Sequence, residues 1–405
     1  MTKNCFRSLL LGVSCLALAH HVRAEWQYGF DESAKYGYIE DAATGCKLWV
    51  RSNTSTKLPV YSTVGGVEGY QVYRSDSASA VASLPSGGVV DLSDVATGPA
   101  GKPVVSAGWS SFLNSEIVSL RAPDLREVGR DAFNGCGLLE GVEFSSEISV
   151  LLGSNSFKGC TNLVTISPTY CPNVTSFGGN FQGLKKLTGD WDFPNVTSGS
   201  ALFRSCSSIT SIRAAKMTSV GDYFAQNCTS LTNVCLPKLE TLSIQCFFGC
   251  TSLKSVTLNP EMTSLGSSCF SGCTALEDIR PRVFPNVTVL GQQAFINCSS
   301  LRGTLEFTKL GALPSNPSAF AAFQASGLDA VELPALTNIS ATGTFQKMPN
   351  LARVTLSGAG ASTVLITSAL FSVSFCTWTV ETFPVGSSPS TYVCQAGSVP
   401  PSTGS

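Results

Sequence analysis

The feature that most constrains this chain is a short motif, Phe-x-Gly-Cys, which returns along most of its length. It is complete at Phe133–Cys136 and Phe157–Cys160, and the successive positions of its last residue are 24, 24, 22, 22, 22, 23, 25, 28 and 22 residues apart. The copy at Phe224–Cys228 carries one residue more, and an upstream copy begins at Phe112. Periods of this length are typical of solenoids, whose stacked turns share a core that no single turn can close alone.

Aliphatic residues follow each motif at fixed distances. Leu139 and Leu163 lie three residues after the Cys, and Val142 and Ile166 lie three residues further on. From there apolar and polar residues alternate, which predicts a short strand that buries one face and pairs in parallel with the next repeat. The residue before the Cys is usually Gly or Asn, as in Gly135, and both tolerate a left-handed backbone. We therefore expect a turn with positive φ at this position.

Two repeats carry an extra residue after a glycine, in the segments Leu187–Phe193 and Leu301–Phe307. The shared pattern predicts a bulge beside the strand in both repeats. The same alignment places Trp191 in the core.

The repeat unit resembles the leucine-rich repeats of the BspA-like class of surface and secreted proteins. Their consensus is aliphatic-Gly-x-x-Ala-Phe-x-Gly-Cys-x-x-Leu, which Gly129–Cys136 matches closely and Gly291–Cys298 nearly so. The resemblance covers roughly residues 87–360, about eleven repeats of 21–28 residues. It implies a repeat solenoid of the α/β-type leucine-rich-repeat class, with short parallel β-strands on the concave face and turns and irregular segments on the convex face. Such repeats serve many ligands, so the resemblance specifies the fold more than the function.

Residues 1–24 have the pattern of a signal peptide. Lys3 and Arg7 precede an apolar run, and the small residues before Glu25 predict cleavage after Ala24. The apolar run is shorter than the ~20 residues that cross a bilayer, and no later stretch is long enough, so we expect no membrane span. The chain is therefore expected to be secreted or held at the cell surface.

The segments on either side of the repeats form separate units in this interpretation. Residues 25–86 alternate aromatic and polar residues and predict a β-rich N-terminal cap, with a small independent binding module as the alternative. Residues 361–405 predict a C-terminal cap and a polar tail. Within that cap Cys376 and Cys394 lie outside the repeat pattern and are candidates for a disulfide in an exported protein.

Charge and histidine content exclude several classes of function. The chain has 26 basic and 27 acidic residues, and removing residues 1–24 leaves 23 basic against 27 acidic, a net charge of −4. This balance argues against nucleic acid as a partner, because phosphates require a clustered basic surface. The two histidines, His20 and His21, both lie in the signal segment. Catalytic Ser-His-Asp or Cys-His sites and His-based zinc sites are therefore not expected, nor is a cofactor.

The cysteines form a column at one position of the repeat. Cysteine is small and readily buried, so we interpret the column as core packing, although neighbouring strands are close enough for a few pairs to be oxidised. The members of this cysteine ladder are Cys136, Cys160, Cys206, Cys228, Cys250, Cys273 and Cys298.

Three further cysteines stand apart from the ladder. Cys246 and Cys269 each precede a ladder cysteine by four residues, and together with those partners they make a four-thiol group. That spacing differs from the usual two-residue zinc knuckle, so no metal is expected, with zinc as the alternative. Cys235 alternates outward on its strand and is either an exposed thiol or a partly covered, inert one.

The outward position of each strand defines the candidate ligand-binding row. Glu306 and Glu332 within it fall in adjacent repeats, at a spacing that suits a retaining glycosidase, but an open sheet offers no pocket to raise the pKa of one carboxyl. We therefore expect no catalytic residue. The row comprises Glu143, Ser167, Asp192, Arg213, Cys235, Thr257, Arg280, Glu306, Glu332 and Thr355.

The size of this row limits what it can bind by itself. About ten strands spaced by ~4.8 Å and ~10 Å wide give roughly 500 Å², less than the ~800 Å² per partner of a standard protein interface. A specific partner should therefore also contact the flanking turns or a cap, or bind weakly.

Three functions remain open at this stage. The first is an interaction or adhesion protein whose partners are extracellular proteins. The second is a carbohydrate-binding or carbohydrate-active protein that uses Glu306 and Glu332 or the N-terminal aromatic residues. The third is a structural coat protein that assembles with itself.

Overall fold

The structure is a computed structural model. It describes residues 26–64, 66–73, 79–85, 87–97, 100–147, 150–151, 155–178, 181–311, 321–336, 344–345 and 347–356, together with the strands at 376–381 and 391–396. Within these residues the chain is a β-solenoid of about ten turns, built from strands and turns without a helix. The prediction of a repeat solenoid is therefore confirmed, and its second side consists of turns and short strands.

Thirty strands, numbered in chain order, make up the described fold. Those before the first complete motif are β1 (Trp26–Asp31), β2 (Tyr36–Asp41), β3 (Cys46–Val50), β4 (Ser62–Val64), β5 (Val67–Val72), β6 (Val81–Ser83), β7 (Val89–Asp91), β8 (Val104–Ala107), β9 (Ser119–Ala122) and β10 (Glu127–Val128). The next are β11 (Gly141–Phe144), β12 (Val150–Leu151), β13 (Thr165–Ser167), β14 (Ser176–Gly178), β15 (Gly189–Asp192), β16 (Ser198–Ser200), β17 (Ile209–Arg213), β18 (Ser219–Val220), β19 (Asn233–Leu236) and β20 (Thr241–Leu242). The last are β21 (Ser255–Leu258), β22 (Ser264–Leu265), β23 (Asp278–Arg280), β24 (Val283–Phe284), β25 (Val289–Leu290), β26 (Thr304–Phe307), β27 (Ala330–Leu333), β28 (Arg353–Leu356), β29 (Cys376–Glu381) and β30 (Thr391–Ala396).

Two sets of sheets run along the solenoid. On one side, three successive sheets have the orders β13-β11-β9-β7, β15-β17-β19-β21-β23 and β24-β26-β27-β28-β30-β29. We call the outward surface of their parallel strands the strand face. On the other side lie a sheet that contains β1-β2-β3-β5-β8-β10-β12 and a second one of order β14-β16-β18-β20-β22-β25. The core lies between the two sides.

Both ends of the described chain leave the parallel pattern. β1, β2 and β3 pair antiparallel, and β5 then pairs in parallel with β8, which joins the N-terminal strands to the solenoid. At the other end β29 and β30 form an antiparallel pair, and β30 pairs antiparallel with β28. In this pair Cys376 opposes Ala396 and Cys394 opposes Trp378, so the two cysteines are not directly opposite each other. The disulfide between them stays a prediction.

The motif phenylalanines fill the centre of the solenoid as a ring ladder. Stacked rings have centroids 4.9 Å apart at Phe112 and Phe133 and 5.7 Å apart at Phe323 and Phe345, the two ends of the described ladder. These rings are fully buried, and so are the aliphatic residues that follow each motif, such as Leu139. Burial of this alternating apolar set is the main stabilising term, because each ring removes its surface from water and gains contacts from the turns on both sides.

The turn before each cysteine has the predicted left-handed backbone. Gly135, Asn227 and Asn297 have φ values of 78°, 60° and 62°. The backbone N–H of this residue donates to the next turn, as from Asn227 to the Phe248 carbonyl at 2.7 Å. At Gly249 a Cβ would lie 2.5 Å from Asn227 Oδ1, so close stacking adds a second reason for glycine there.

The copy that contains Phe224 differs from the sequence prediction, because its turn holds no extra residue. Ala225 takes the backbone position that Phe has elsewhere, and Tyr223, two residues before it, has the positive φ of 61° found at that place in other turns. Phe224 instead takes the position of the preceding Ala. Its ring reaches the ladder from there and meets Phe203 and Phe247 edge-on, at interplanar angles of 85° and 82°. The reversed order of Phe and Ala therefore explains the altered spacing.

The predicted bulge is confirmed in the first of the two repeats. The register shifts between Gly189 and Asp190, Gly189 has a φ of 114°, and Trp191 is 1% exposed. In the second repeat Gly303 also has positive φ, 79°, but Thr304 pairs with Ala330 without a register shift.

Candidate binding face

The strand register aligns much of the predicted row. Each residue opposes the next in the series Asp192, Arg213, Cys235, Thr257 and Arg280. Glu143 opposes Ser167, and Glu306 opposes Glu332, which opposes Thr355. Because the period of a strand is two residues, the neighbours of these positions point into the core. The row is thus three aligned segments, one on each sheet of the strand face.

The row also begins earlier than the sequence analysis placed it. Arg121 on β9 lies between Asp91 on β7 and Glu143 on β11, in register with both. Its guanidinium contacts Glu143 Oε2 at 3.3 Å through Nε and Asp91 Oδ2 at 3.5 Å through Nη1. These side chains are largely in solvent, so the ion pairs orient the charges while contributing little to stability.

The row is interrupted twice, and each interruption brings an apolar side chain to the surface. The chain leaves β13 at Pro168, and Tyr170 then forms a bridge with Asp192 on β15. It leaves β23 at Pro281, and Val283 then pairs with Glu306 on β26. Tyr170 is 54% exposed and Val283 is 45% exposed. Both peptide bonds that precede these prolines are cis.

A second outward row runs beside the first on the middle sheet. Ser211, Asn233, Ser255 and Asp278 oppose one another in turn, and Asp190 opposes Ser211. Side-chain hydrogen bonds link its members: Ser211 Oγ donates to Asp190 Oδ1 at 2.8 Å, and Ser255 Oγ donates to Asn233 Oδ1 at 2.7 Å. This row doubles the polar width of the strand face.

The carboxyl group of Asp192 has a mixed environment. Burial raises its pKa, and the Arg213 guanidinium, with Nε 3.9 Å from Asp192 Oδ2, opposes that rise. Its Oδ1 is screened from solvent, and no described residue donates a hydrogen bond to it. Burial and the Arg213 guanidinium thus act on the pKa of Asp192 in opposite directions, and a further cation would favour the charged carboxylate.

At the end of the row two carboxylates lie side by side, and the next residue of the row, Thr355, is buried. Glu306 opposes Glu332, and Glu306 Oε1 accepts a hydrogen bond from Thr308 Oγ1 at 3.1 Å. Thr355 is only 9% exposed, on a strand whose edge is taken by β30. The expectation that Thr355 contacts a ligand is therefore corrected, because its side chain is buried.

The thiols of the cysteine ladder lie in the core and donate hydrogen bonds to the preceding turn. Cys136 Sγ lies 2.8 Å from the Phe112 carbonyl oxygen, and Cys206 Sγ lies 2.7 Å from that of Phe181. The other members bond in the same way, at 3.0 or 3.1 Å, and all are free thiols with no exposed surface: Cys160, Cys228, Cys250, Cys273 and Cys298. A thiol at this position is both small enough for the core and able to satisfy a buried carbonyl.

The remaining cysteines differ in accessibility. Cys246 and Cys269 are fully buried free thiols, whereas Cys235 is half-buried on the strand face. Burial raises the pKa of Cys246 to about 12. Among the described residues, no group of three or more His, Cys, Asp or Glu side chains is placed to hold a metal ion.

A cavity of about 630 Å³ lies beside the start of the strand face. Its walls include Leu84 and Gly88, before β7, and Leu113, Glu116 and Leu138 from the next two turns. Leu138 is 51% exposed, so the wall of this cavity offers apolar surface on the flank of the solenoid.

Some surface residues were missed by the sequence analysis, although signals for them exist. The alternation in Ile117–Ala122 would have extended the row to Arg121. Tyr170 and Val283 follow the two Pro insertions, whose sequences are alike, but only the register shows which residue comes next to Asp192 or Glu306.

The signal segment 1–24 lies outside the described residues. No helix in the described part of the chain is long and apolar enough to cross a membrane.

Comparison with known proteins gives a match to one repeat family. The sequence profile of the BspA-type leucine-rich-repeat region matches residues 101–195 and 196–310 in six copies. A comparison with curated proteins finds no match.

Solved structures share the repeat at low identity. A leucine-rich-repeat protein of Treponema pallidum is 20% identical, with 54% of this chain and 87% of that chain covered and a TM-score of 0.35. A leucine-rich cell surface protein of Faecalibacterium prausnitzii is also 20% identical, with 79% and 99% covered and a TM-score of 0.34. A leucine-rich-repeat protein of Eubacterium ventriosum is 16% identical, with 81% and 97% covered and a TM-score of 0.29. Because the profile matches more than half of the 405 residues of this chain, the chain belongs to the BspA-type leucine-rich-repeat family.

Proposed function

We propose that this protein is exported and binds an extracellular protein partner through the strand face, without catalysis. The observation that carries the proposal is the candidate ligand-binding row. Its strands, at a fixed register, hold charged side chains of both signs beside exposed apolar ones. Arg121, with Asp91 and Glu143, and Arg213, with Asp192, are the two charged centres of that face. A rigid, preorganised surface loses little entropy on binding, which favours recognition of a folded partner.

The area of the face sets the extent of the contact. The first row alone gives roughly 500 Å², and the second row of Asp190 to Asp278 widens the surface towards the ~800 Å² of a standard interface. The flank beside Leu138 supplies further apolar surface next to β7. We infer that the partner covers both rows and reaches one flank.

Capture of partners from the native environment tests this function. Immobilised residues 25–405 are compared with the charge reversals Arg121→Glu and Glu143→Lys on the strand face, and with Lys158→Glu, an exposed lysine in a motif turn away from that face. We expect the wild type and Lys158→Glu to recover the same protein, and each strand-face reversal to reduce its recovery at least tenfold. Equal recovery by all four proteins would contradict the proposal.

A glycan array separates protein binding from carbohydrate binding. Strong glycan binding that disappears in Glu306→Ala and Glu332→Ala would replace the protein partner with a saccharide. Self-assembly in light scattering at modest concentration would instead indicate a coat protein.

Export has its own test. Mass spectrometry of the protein recovered from the medium of an expressing bacterium should show an N-terminus at Glu25. Retention of residues 1–24 in the cell-associated product would contradict export by this segment.

A further inference from the structure

The two interruptions of the strand face have similar sequences. Ile166–Thr175 and Ile279–Thr288 share Ile, two Pro and the triplet Asn-Val-Thr at the same positions, 113 residues apart. Asn173 Nδ2 donates to Glu147 Oε2, and Asn286 Nδ2 donates to Glu261 Oε2 in the equivalent contact. The two insertions therefore have the same local pattern and lie five turns apart, although its Pro-Asn-Val-Thr part also occurs at Pro194–Thr197, where the strand face is not interrupted.

Both interruptions place an exposed apolar side chain beside a carboxylate. Asp192 N–H donates to the Thr169 carbonyl at 3.0 Å, and Glu306 N–H donates to the Arg282 carbonyl at 2.9 Å. As a result Tyr170 lies beside the carboxylate of Asp192, and Val283 lies beside that of Glu306, both in the candidate ligand-binding row. We call the pair Tyr170 with Asp192 the Tyr170 site and the pair Val283 with Glu306 the Val283 site.

The groups shared by the two sites indicate the ligand. An exposed apolar surface next to a carboxylate is complementary to the methylene stem and cationic head of a lysine or arginine side chain. A sugar ring that stacks on Tyr170 would find no such platform on Val283, so a saccharide does not fit both sites equally.

The charges around each site favour a cation. Asp190, which is exposed, adds a second carboxylate near Asp192, against the single guanidinium of Arg213. At the Val283 site, Arg280 and Arg282 both pair with Asp278, and Arg282 also donates to the carbonyls of Glu277 and Arg302. Among the described residues Glu306 has no ion-pair partner, and Glu332 lies directly opposite it.

We propose that the strand face is bivalent: the Tyr170 site and the Val283 site each bind one basic side chain of the same polypeptide partner. This inference rests on the proposed binding of a protein by the strand face. Five turns at the ~4.8 Å spacing of strands separate the sites by about 24 Å. Two linked contacts then gain from effective concentration, although each alone is weak.

Polyproline peptides with two arginines test the spacing between the two sites. The polyproline helix rises ~3.1 Å per residue with three residues per turn, so arginines nine positions apart project from one side, about 28 Å apart. Peptides with arginines three positions apart, with one arginine, or with two glutamates nine positions apart are the controls. Binding of the labelled peptides to residues 25–405 is measured by fluorescence anisotropy.

We expect the nine-position peptide to bind at least tenfold more tightly than the one-arginine and three-position peptides, and the glutamate peptide not to bind. Tyr170→Ser with Asp192→Asn, or Val283→Ser with Glu306→Gln, should each reduce its affinity to that of the one-arginine peptide. Val289→Ser is the matched control, because Val289 is 58% exposed on β25, in a sheet on the other side of the solenoid.

The outcomes separate this inference from the proposed function. Equal binding of the one- and two-arginine peptides, no binding of any peptide, or equal loss in Val289→Ser would overturn the bivalent site. If partner capture still depends on Arg121 in that case, protein binding by the strand face stands without it. If capture is indifferent to the strand face, the proposed function itself fails.

Discussion

Asn227 and Asn297 show how one backbone angle limits the choice of residue in a turn. Both have φ near 60°, at the position where Gly135, Gly159 and other repeats have glycine. A left-handed backbone costs an ordinary L-residue roughly 1–2 kcal/mol, and asparagine is among the residues that tolerate it best. The same two residues lie in glycosylation sequons, but the turn by itself accounts for their presence.

Substitution of Asn227 tests this account. Asn227→Gly should leave the free energy of unfolding within about 0.5 kcal/mol, whereas Asn227→Val should lower it by about 1–2 kcal/mol, because a β-branched side chain is strained at positive φ. Urea denaturation followed by circular dichroism measures both. The control is Thr251→Val, at an exposed turn residue outside the positive-φ positions, for which a change of similar size would contradict the argument.

Cys250 shows what a core thiol adds beyond volume. It is fully buried, and its Sγ lies 3.1 Å from the Ala225 carbonyl. Cys250→Ala should lower the free energy of unfolding by about 1–2 kcal/mol, since it leaves a small cavity and removes a buried hydrogen bond. Cys235→Ala, at a half-buried position on the strand face, should change it by less than about 0.5 kcal/mol. Equal effects of the two substitutions in urea denaturation would contradict this account of the buried thiol.

At the scale of elements, the strands and turns of the solenoid shield the whole cysteine ladder from solvent. Burial raises the pKa of Cys206 and Cys250 to about 12, so both thiols are protonated near neutral pH. The thiolate is the reactive form of cysteine. A raised pKa and a lack of solvent access therefore both lower the reactivity of these thiols.

Alkylation kinetics test this shielding. Of the twelve free cysteines described, Cys235 should react with iodoacetamide in the native protein at pH 7 and at pH 9. The ladder thiols should react only on unfolding at both pH values. Peptide mass spectrometry identifies the labelled sites, and Cys235→Ser should remove the fast reaction. Labelling of Cys206 or Cys250 in native protein at pH 9 would contradict the burial.

At the scale of the whole molecule, the solenoid is a linear array whose neighbours share the core. Contacts between consecutive strands differ along it. β17, β19 and β21 pair over three or four residues, whereas the first interruption is crossed by the single bridge from Tyr170 to Asp192. Local opening in such an array begins where neighbour contacts are fewest.

Hydrogen exchange should therefore be uneven along the strand face. We expect amides of residues 165–171 to exchange at least tenfold faster than those of 209–213 and 233–236, because fewer backbone bonds hold the first segment to the next turn. Exchange measured by mass spectrometry on peptides from these segments checks the order. Uniform protection along the strand face would show that the interruption does not weaken the array.

The sequence by itself determined the repeat, the alternating strand, the left-handed turn and the buried position of Trp191. These properties are local or periodic, since each depends on residue types at fixed distances along the chain. Tertiary structure decided the rest. The position of Phe224 depends on which backbone site its neighbour Ala225 occupies in the stack, and the burial of Thr355 depends on a distant strand.

The composition of the binding face was likewise decided by tertiary contacts. Alignment of the repeats alone placed Glu306 next to Glu332, because both take the same position in their strands. It could not place Tyr170 next to Asp192 or Val283 next to Glu306, since a proline insertion changes the register by an amount that only pairing with the next strand fixes. The sequence thus determined the solenoid, and packing between turns determined which side chains meet on its surface.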